Sequence, residues 1–321
     1  MTYTLTPKPY PLLVLVGPTS SGKSELAILL AKKFNGEIIS ADSRQIYKGL
    51  NLGTGKVKGK WLVSLLSGRS RVTQKRNVYV YKKIAHHLID FVSPKKQYSV
   101  SLFQEAAQKE ISDIIQRGKL PILCGGTAHW VDAVVYDQKI PDVKPNLKLR
   151  ASLEKKSVAE LYKQLKKLDP VRAKSIDPKN PRRLIRALEI SISTGHPVPP
   201  LTTDNSQLTT LWLGLNPSQK TLYKKIDLRL KQRLKQGMVK EVSRLHNQGL
   251  SWKRLESFGL EYKYIALFLQ KKLTRKEMFT QLSFAIKHYS KRQMTWWKRN
   301  KDINWITKLG AALKLVEKFL A

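Results

Sequence analysis

At 321 residues the chain holds one large or two modest domains, with enough residues to bury a real core. Lys and Arg number 60 against 23 Asp and Glu, a formal charge of +37, so a polyanionic partner is expected, with nucleic acid the first candidate and general lysine enrichment the alternative. One cysteine excludes internal disulfides and Cys-rich zinc modules, and no window approaches a membrane span, so a cytoplasmic protein with no membrane partner and no signal peptide is expected.

The apolar run Pro11–Val16 reads as a buried parallel strand and Glu25–Ala31 as a helix. Between them lies Gly17-Pro18-Thr19-Ser20-Ser21-Gly22-Lys23-Ser24, the spacing G-x-x-x-x-G-K-S. Glycines at both ends let the backbone curl so that successive N–H groups face phosphate oxygens, and the helix N-terminus adds positive partial charge. Lys23 is expected to reach the outer phosphate and Ser24 to hold a magnesium ion (Mg2+). The motif specifies a polyphosphate but not which one.

Glu37–Ala41 reads as a second strand, with Asp42-Ser43-Arg44-Gln45 just past its C-terminal end. Ligands of open parallel sheets bind at those ends, so Asp42 is expected in the crevice of the phosphate loop. Three roles stay open for its carboxylate: magnesium ligand, base toward a second substrate, or turn cap. Asn51–Gly55 is a loop with two glycines, and the basic, weakly patterned stretch Val57–Arg76 reads as a surface insertion. Asn77–Tyr81 alternates like a strand. His86 and His87, adjacent on an extended segment, point to opposite faces, which suits structural histidines better than joint metal ligands.

Ser99 is expected to cap a helix that stops at Gly118, and Leu120–Cys124 to form another buried strand ending in Gly125-Gly126-Thr127. An NTP-hydrolysing P-loop protein usually carries an acidic residue at that tip. Its absence here points away from ATP hydrolysis. Thr127 is placed either to offer a hydroxyl to the crevice or to cap the next helix.

From about Lys139 to about Thr209 short lysine-rich amphipathic helices replace strands, with starts at Asp169-Pro170 and Asn180-Pro181 and a stop at Gly195. Leu184, Ile185, Leu188 and Ile192 form the apolar stripe of the last of them. Arg182, Arg183 and Arg186 crowd its first turns, where the helix dipole disfavours cations unless anions are near, so they read as phosphate ligands. Leu211–Leu215 returns as a strand. Helices then carry Lys225, Arg229 and Arg233 four apart on one face, the stretch Met238–Leu245, and a long run from Arg275 to about Asn300. That run ends in Lys291-Arg292-Gln293-Met294-Thr295-Trp296-Trp297-Lys298-Arg299, whose guanidinium and indole groups suit phosphates and unstacked bases, with one tryptophan facing inward.

Gly17–Ser24, Ile39–Lys56, HHLID from His86, ILCGGT from Ile122, DPKNPRRLIRALE from Asp177 and KRQMTWWKR from Lys291 together resemble the tRNA dimethylallyltransferases, in order and over most of the chain. The fold class this implies is α/β: a P-loop NTPase-like core with a parallel sheet flanked by helices (1–138), an all-helical, tRNA-binding insertion domain (139–205), and a mostly helical completion of the core that also binds tRNA (206–321). The resemblance implies transfer of a dimethylallyl group from dimethylallyl diphosphate to N6 of adenosine 37, in the anticodon stem-loop of tRNA, by a monomer. It implies Asp42 and Thr127 as catalytic residues, and Gly17 to Ser24 with Arg183 and Arg229 around the diphosphate. It also implies tRNA contacts from Asp42, Ser43, Arg44, Gln45, Thr127, Lys148, Arg182, Arg183, Leu184, Ile185, Arg186, Lys291, Arg292, Gln293, Trp296, Trp297 and Lys298.

The chain departs from the family at Ala128-His129-Trp130, which bears on channel width, at Glu261-Tyr262-Lys263-Tyr264, and in the Val57–Arg76 insertion. A free-nucleotide isopentenyltransferase, a small-molecule kinase and a non-catalytic RNA-binding protein are the competing readings.

Overall fold

In the computed structural model, which describes residues 10–66, 74–200, 202 and 208–321, the first apolar run forms β1 (Tyr10–Val16). Its residues from Leu12 onward are fully buried, because both faces of the strand are covered. Chain order continues with α1 (Lys23–Lys33), β2 (Gly36–Ala41), β3 (Lys60–Leu66), β4 (Gln74–Tyr81), β5 (Ile84–His87), α2 (Val100–Gln116), β6 (Leu120–Gly125) and α3 (Ala128–Val135). Four helices follow: α4 (Leu147–Leu153), α5 (Val158–Leu168), α6 (Pro170–Ser175) and α7 (Pro181–Thr194). Then come β7 (Leu208–Leu215), α8 (Gln219–Lys235), α9 (Met238–Asn247), α10 (Trp252–Ser257), α11 (Leu260–Leu269), α12 (Arg275–Trp297), β8 (Asn304–Ile306) and α13 (Leu309–Leu320). Two units separate by their internal contacts, Met1–Tyr136 with Asn205–Ala321, and Asp137–Asp204.

In the first unit the strands form one sheet in the order β3-β4-β5-β2-β6-β1-β7-β8. From β5 to β8 the neighbours are parallel. One face is covered mainly by α2, α3 and α8 to α12, with Phe103, Trp130, Trp212, Tyr262 and Trp297 in that core; α1 and α13 cover the other. Ser99 accepts from the backbone N–H of Leu102 and so caps α2.

The stretch Val57–Arg76 is more than a surface insertion. Its described residues supply β3 and the start of β4, an antiparallel hairpin that extends the sheet and makes it mixed. Residues 67–73 lie outside the described residues. Trp61, Leu62 and Val63 favour a strand, and the surrounding lysines obscure that preference.

The two histidines of β5 are structural. His86 bonds the carbonyl of Ile84, and burial pulls its pKa down to about 4. His87 lies between the carboxylates of Glu37 (2.6 Å) and Glu110 (2.9 Å), all three buried. Arg117 and Lys119 also reach Glu37, and Arg76 reaches Glu110. Burial opposes charge on His87, but the two carboxylates override it and hold its pKa above the ordinary histidine value.

The second unit packs Leu153, Leu161, Leu165, Leu184, Ile185 and Leu188 into its own core. Asp169 and Asn180 cap α6 and α7, each followed by proline, and Gly195 ends α7 in the left-handed region at φ 71°. The buried Glu189 accepts from Arg150, Arg186 and the N–H of Asn146.

A raised folded-state pKa stabilises below the unfolded value of about 6.5 and is lost as pH rises through the folded value. His87→Gln should therefore cost on the order of 3 kcal/mol at pH 6, with the gap to the native chain narrowing at pH 9. Urea denaturation at the two pH values measures this; a gap independent of pH would contradict a charged His87.

Candidate active site

β1, β2 and β6 end side by side: Leu15 pairs with Cys124 and Ala41 with Gly125, so Gly17, Asp42 and Gly126 leave the sheet along one edge. The phosphate-loop sequence forms a tight turn there, with Ser20 at φ 63° and Gly22 at φ 99°, the latter a value that suits glycine. Lys23 folds back over the loop and donates from Nζ to the carbonyl of Pro18 at 3.1 Å. Gln293 of α12 closes the loop from above. Its Oε1 accepts from the N–H of Thr19 and its Nε2 donates to the carbonyl of Gly126, both at 2.8 Å.

Asp42 uses only part of its carboxylate locally. Oδ1 accepts from the N–H groups of Arg44 (2.9 Å) and Gln45 (3.3 Å), a turn cap, while Oδ2 has no hydrogen bond among the described residues. Thr127 occupies the N-cap position of α3 but makes no capping bond; its hydroxyl accepts from the N–H of Ser43 at 3.0 Å. The tips of β2 and β6 are thereby tied together. Gln45 is bound to Ser40 and to the carbonyl of Thr54.

Lys23, Arg44 and Arg229 surround this edge, and none has a carboxylate within ion-pair distance among the described residues. Burial draws the pKa of each below its ordinary range, that of Arg229 to about 10 with the neighbouring Arg233 adding to the effect. Arg229 reaches Ser20 Oγ at 3.4 Å and the carbonyl of Gly55 at 3.5 Å. Partly buried cations with no carboxylate partner among the described residues suit an anion. Of these cations Arg229 also borders a cavity of about 360 Å³, lined by Gly55, Lys56, Tyr79 and Arg233 among others.

Other expected ligands are placed differently. Leu184 and Ile185 are buried in the second unit's core, so their side chains offer nothing to a partner. Arg186 is held by Glu189 (2.6 Å) and the carbonyl of Val143 (3.0 Å); an internal carboxylate, not an external phosphate, explains its place at the start of α7. Arg182, Arg183 and Lys148 are exposed in the second unit, without ion pairs among the described residues. Trp297 is 1% exposed and belongs to the core, whereas Trp296 is half-buried and donates to Asp132. Gln293 is buried as the loop's clasp. Lys291, Arg292 and Lys298 are exposed.

Trp130, one of the departures, is a core residue stacked on Phe103 at 4.3 Å. Sequence reasoning missed Glu241, which accepts from three backbone N–H groups at residues 51–53. A carboxylate on the apolar stripe of Met238, Val242 and Leu245 is the signal that marks it.

The model of the family described as IPP transferase matches residues 68–300, and that described as isopentenyl transferase matches 11–77. The chain belongs to the tRNA dimethylallyltransferase family. It is 40% identical to the tRNA dimethylallyltransferase of Anoxybacillus flavithermus over 91% of this chain and 89% of that one. It is 37% identical to tRNA dimethylallyltransferase 2 of Citrifermentans bemidjiense over 98% of each. The crystal structure of the tRNA isopentenylpyrophosphate transferase of Bacillus halodurans aligns with a TM-score of 0.67 at 30% identity, covering 97% of this chain and 95% of that one. A eukaryotic dimethylallyltransferase acting on tRNA aligns with a TM-score of 0.69 at 28% identity, over 89% and 69% of the two chains. The α/β unit is thus the P-loop NTPase-like fold of the tRNA dimethylallyltransferases, which are prenyl-transferring transferases. No helix among the described residues is long and apolar enough to cross a membrane.

If the cation cluster holds an anion, Lys23→Ala should weaken binding of inorganic pyrophosphate by about tenfold or more, the scale of one charge-assisted hydrogen bond. Isothermal titration reads this directly, and unchanged affinity would remove the loop from anion binding.

Proposed function

We infer that this tRNA dimethylallyltransferase family member transfers a dimethylallyl group from dimethylallyl diphosphate to N6 of adenosine 37 of tRNA, beside the anticodon, acting as a monomer in the cytoplasm. The observation that carries the reading is the Oδ2 of Asp42, without a hydrogen bond among the described residues, on the sheet edge that also holds Lys23 and Arg229, which have no carboxylate partner among them. One reaction needs both. Breaking the allylic C–O bond leaves negative charge on diphosphate, and partly buried cations already fixed in place stabilise that charge with little reorganisation. Adenine N6 must give up a proton as it forms the new C–N bond, and Asp42 Oδ2 is the acceptor in this reading.

Asp42 is oriented for that task by its own turn, since the Arg44 and Gln45 N–H groups occupy Oδ1. Thr127 holds the backbone of Ser43 from the adjacent strand tip and so fixes the same turn. Gln293 keeps the Thr19 amide in register with the loop. The loop N–H groups left open between Gly17 and Ser24, those of Ser20, Gly22, Lys23 and Ser24 among them, would take the diphosphate oxygens, with Arg229 at their side. Arg183, in the second unit, is a proposed further diphosphate ligand.

Ser24 is the residue that would hold a magnesium ion. Ser24 is exposed at the start of α1, and no group of three or more His, Cys, Asp or Glu among the described residues could hold a metal. A hydroxyl oxygen with phosphate and water oxygens is the donor set magnesium prefers, and the ion would supply charge neutralisation on the leaving group.

The adenine is stacked in the anticodon loop and must be flipped to reach Asp42. Exposed Lys148, Arg182, Arg183, Lys291, Arg292 and Lys298 are the proposed phosphate contacts that hold the tRNA, with Trp296 and the Ser43–Gln45 turn closer to the base.

Asp42→Ala should lower turnover by about 100-fold or more while tRNA affinity stays nearly intact, the size of a general-base contribution. Single-turnover prenylation and filter binding separate the two quantities. Undiminished turnover would take Asp42 out of the mechanism.

A further inference from the structure

Arg229 and Arg233 lie one turn apart on α8 and pack against the same glycine. A Cβ on Gly55 would stand 2.1 Å from Nη2 of Arg229 and 1.7 Å from Nη2 of Arg233. Two guanidiniums this close repel each other, and a single anion at the loop would attract both. Their partners nevertheless differ. Among the described residues Arg229 has neutral partners, Ser20 Oγ and the Gly55 carbonyl. Arg233 donates to Glu261 Oε1 at 3.2 Å and to the Gly53 carbonyl at 3.4 Å, and both side chains of that ion pair are only 12% exposed.

Both of Arg233's acceptors are set by one buried carboxylate. Glu241 accepts from the N–H groups of Asn51 (3.2 Å), Leu52 (2.8 Å) and Gly53 (3.1 Å), which fixes the loop that presents the Gly53 carbonyl. It also accepts from the hydroxyl of Tyr262 at 2.7 Å, which pins the first turn of α11, where Glu261 sits. Arg233 is held between a fixed carbonyl and a fixed carboxylate.

We propose that Glu261 is a positioning residue, a built-in counter-anion that keeps Arg233 off the diphosphate site so that Arg229 alone of the pair faces the phosphate loop. This rests on the diphosphate reading above. A second guanidinium on the anion would tighten binding of substrate and of released diphosphate alike, which adds nothing to the chemical step and retards product release. Arg229 and Arg233 both border a cavity of about 360 Å³ beside Gly55, so Arg233 is not packed solid on every side and can move once its carboxylate is neutralised.

Titration of the full chain with inorganic pyrophosphate tests this. Glu261→Gln should bind at least about tenfold tighter than the native protein, the gain of one charge-assisted contact, and adding Arg233→Met to that variant should return affinity to within about twofold of native. Glu261→Ala, which leaves no polar atom behind, should show the same gain and serves if the glutamine variant folds poorly. A structural role for Glu261 predicts loss of affinity, never a gain that a second substitution reverses. Unchanged or weaker binding in both Glu261 variants overturns the proposal, as does a double variant that binds well below native, since Arg233 would then be a native ligand. If the native chain does not bind pyrophosphate and Lys23→Ala makes no difference, the diphosphate reading falls and takes the proposal with it.

Discussion

Everything at the edge of the sheet depends on holding partly buried cations in place without giving them a carboxylate. Lys23 and Arg229 are partly buried and have no carboxylate partner among the described residues, an arrangement that costs folding free energy and that a bound anion would offset. The neighbouring acids are arranged to preserve it. Asp42 turns one oxygen to its own backbone, Glu241 takes three amides, and Glu261 is occupied with Arg233. A carboxylate moved onto Arg229 would fill the site the fold keeps open.

The same economy explains the charge of the whole chain. Of 23 acidic residues, several of the best-buried are consumed inside: Glu37 and Glu110 around His87, Glu189 between Arg150 and Arg186, and Glu241 in its backbone cradle. Lysines and arginines are left to dominate the exterior, including the exposed cations of α7 and α12. A surface of that sign attracts RNA through its phosphates, and the family gives the attraction a substrate.

The local parts of this design were legible in the sequence. The phosphate loop reads directly because strand, glycine turn and helix are contiguous, and the Ser99, Asp169 and Asn180 caps read for the same reason. Helical geometry alone separates Trp296 from Trp297. Long-range partnerships were not legible. Gln293 reaches Thr19 across 274 positions, and Arg186 looked like a phosphate ligand because its acceptor, Glu189, reads as an ordinary helix residue until burial is known. Leu184 and Ile185 fall in a tRNA-binding motif by resemblance, although their place on an apolar stripe marks them as core. The hairpin of β3 and β4 escaped because a basic surround hides a short apolar strand.

The most direct test of the account is incubation of the purified chain with magnesium, radiolabelled dimethylallyl diphosphate and either unmodified tRNA or free AMP, followed by nucleoside analysis. A tRNA prenyltransferase places label in tRNA as N6-dimethylallyladenosine and none in AMP. Label in AMP alone would contradict it in favour of a free-nucleotide acceptor, and no label in either would mean that the open cation site serves some other anion.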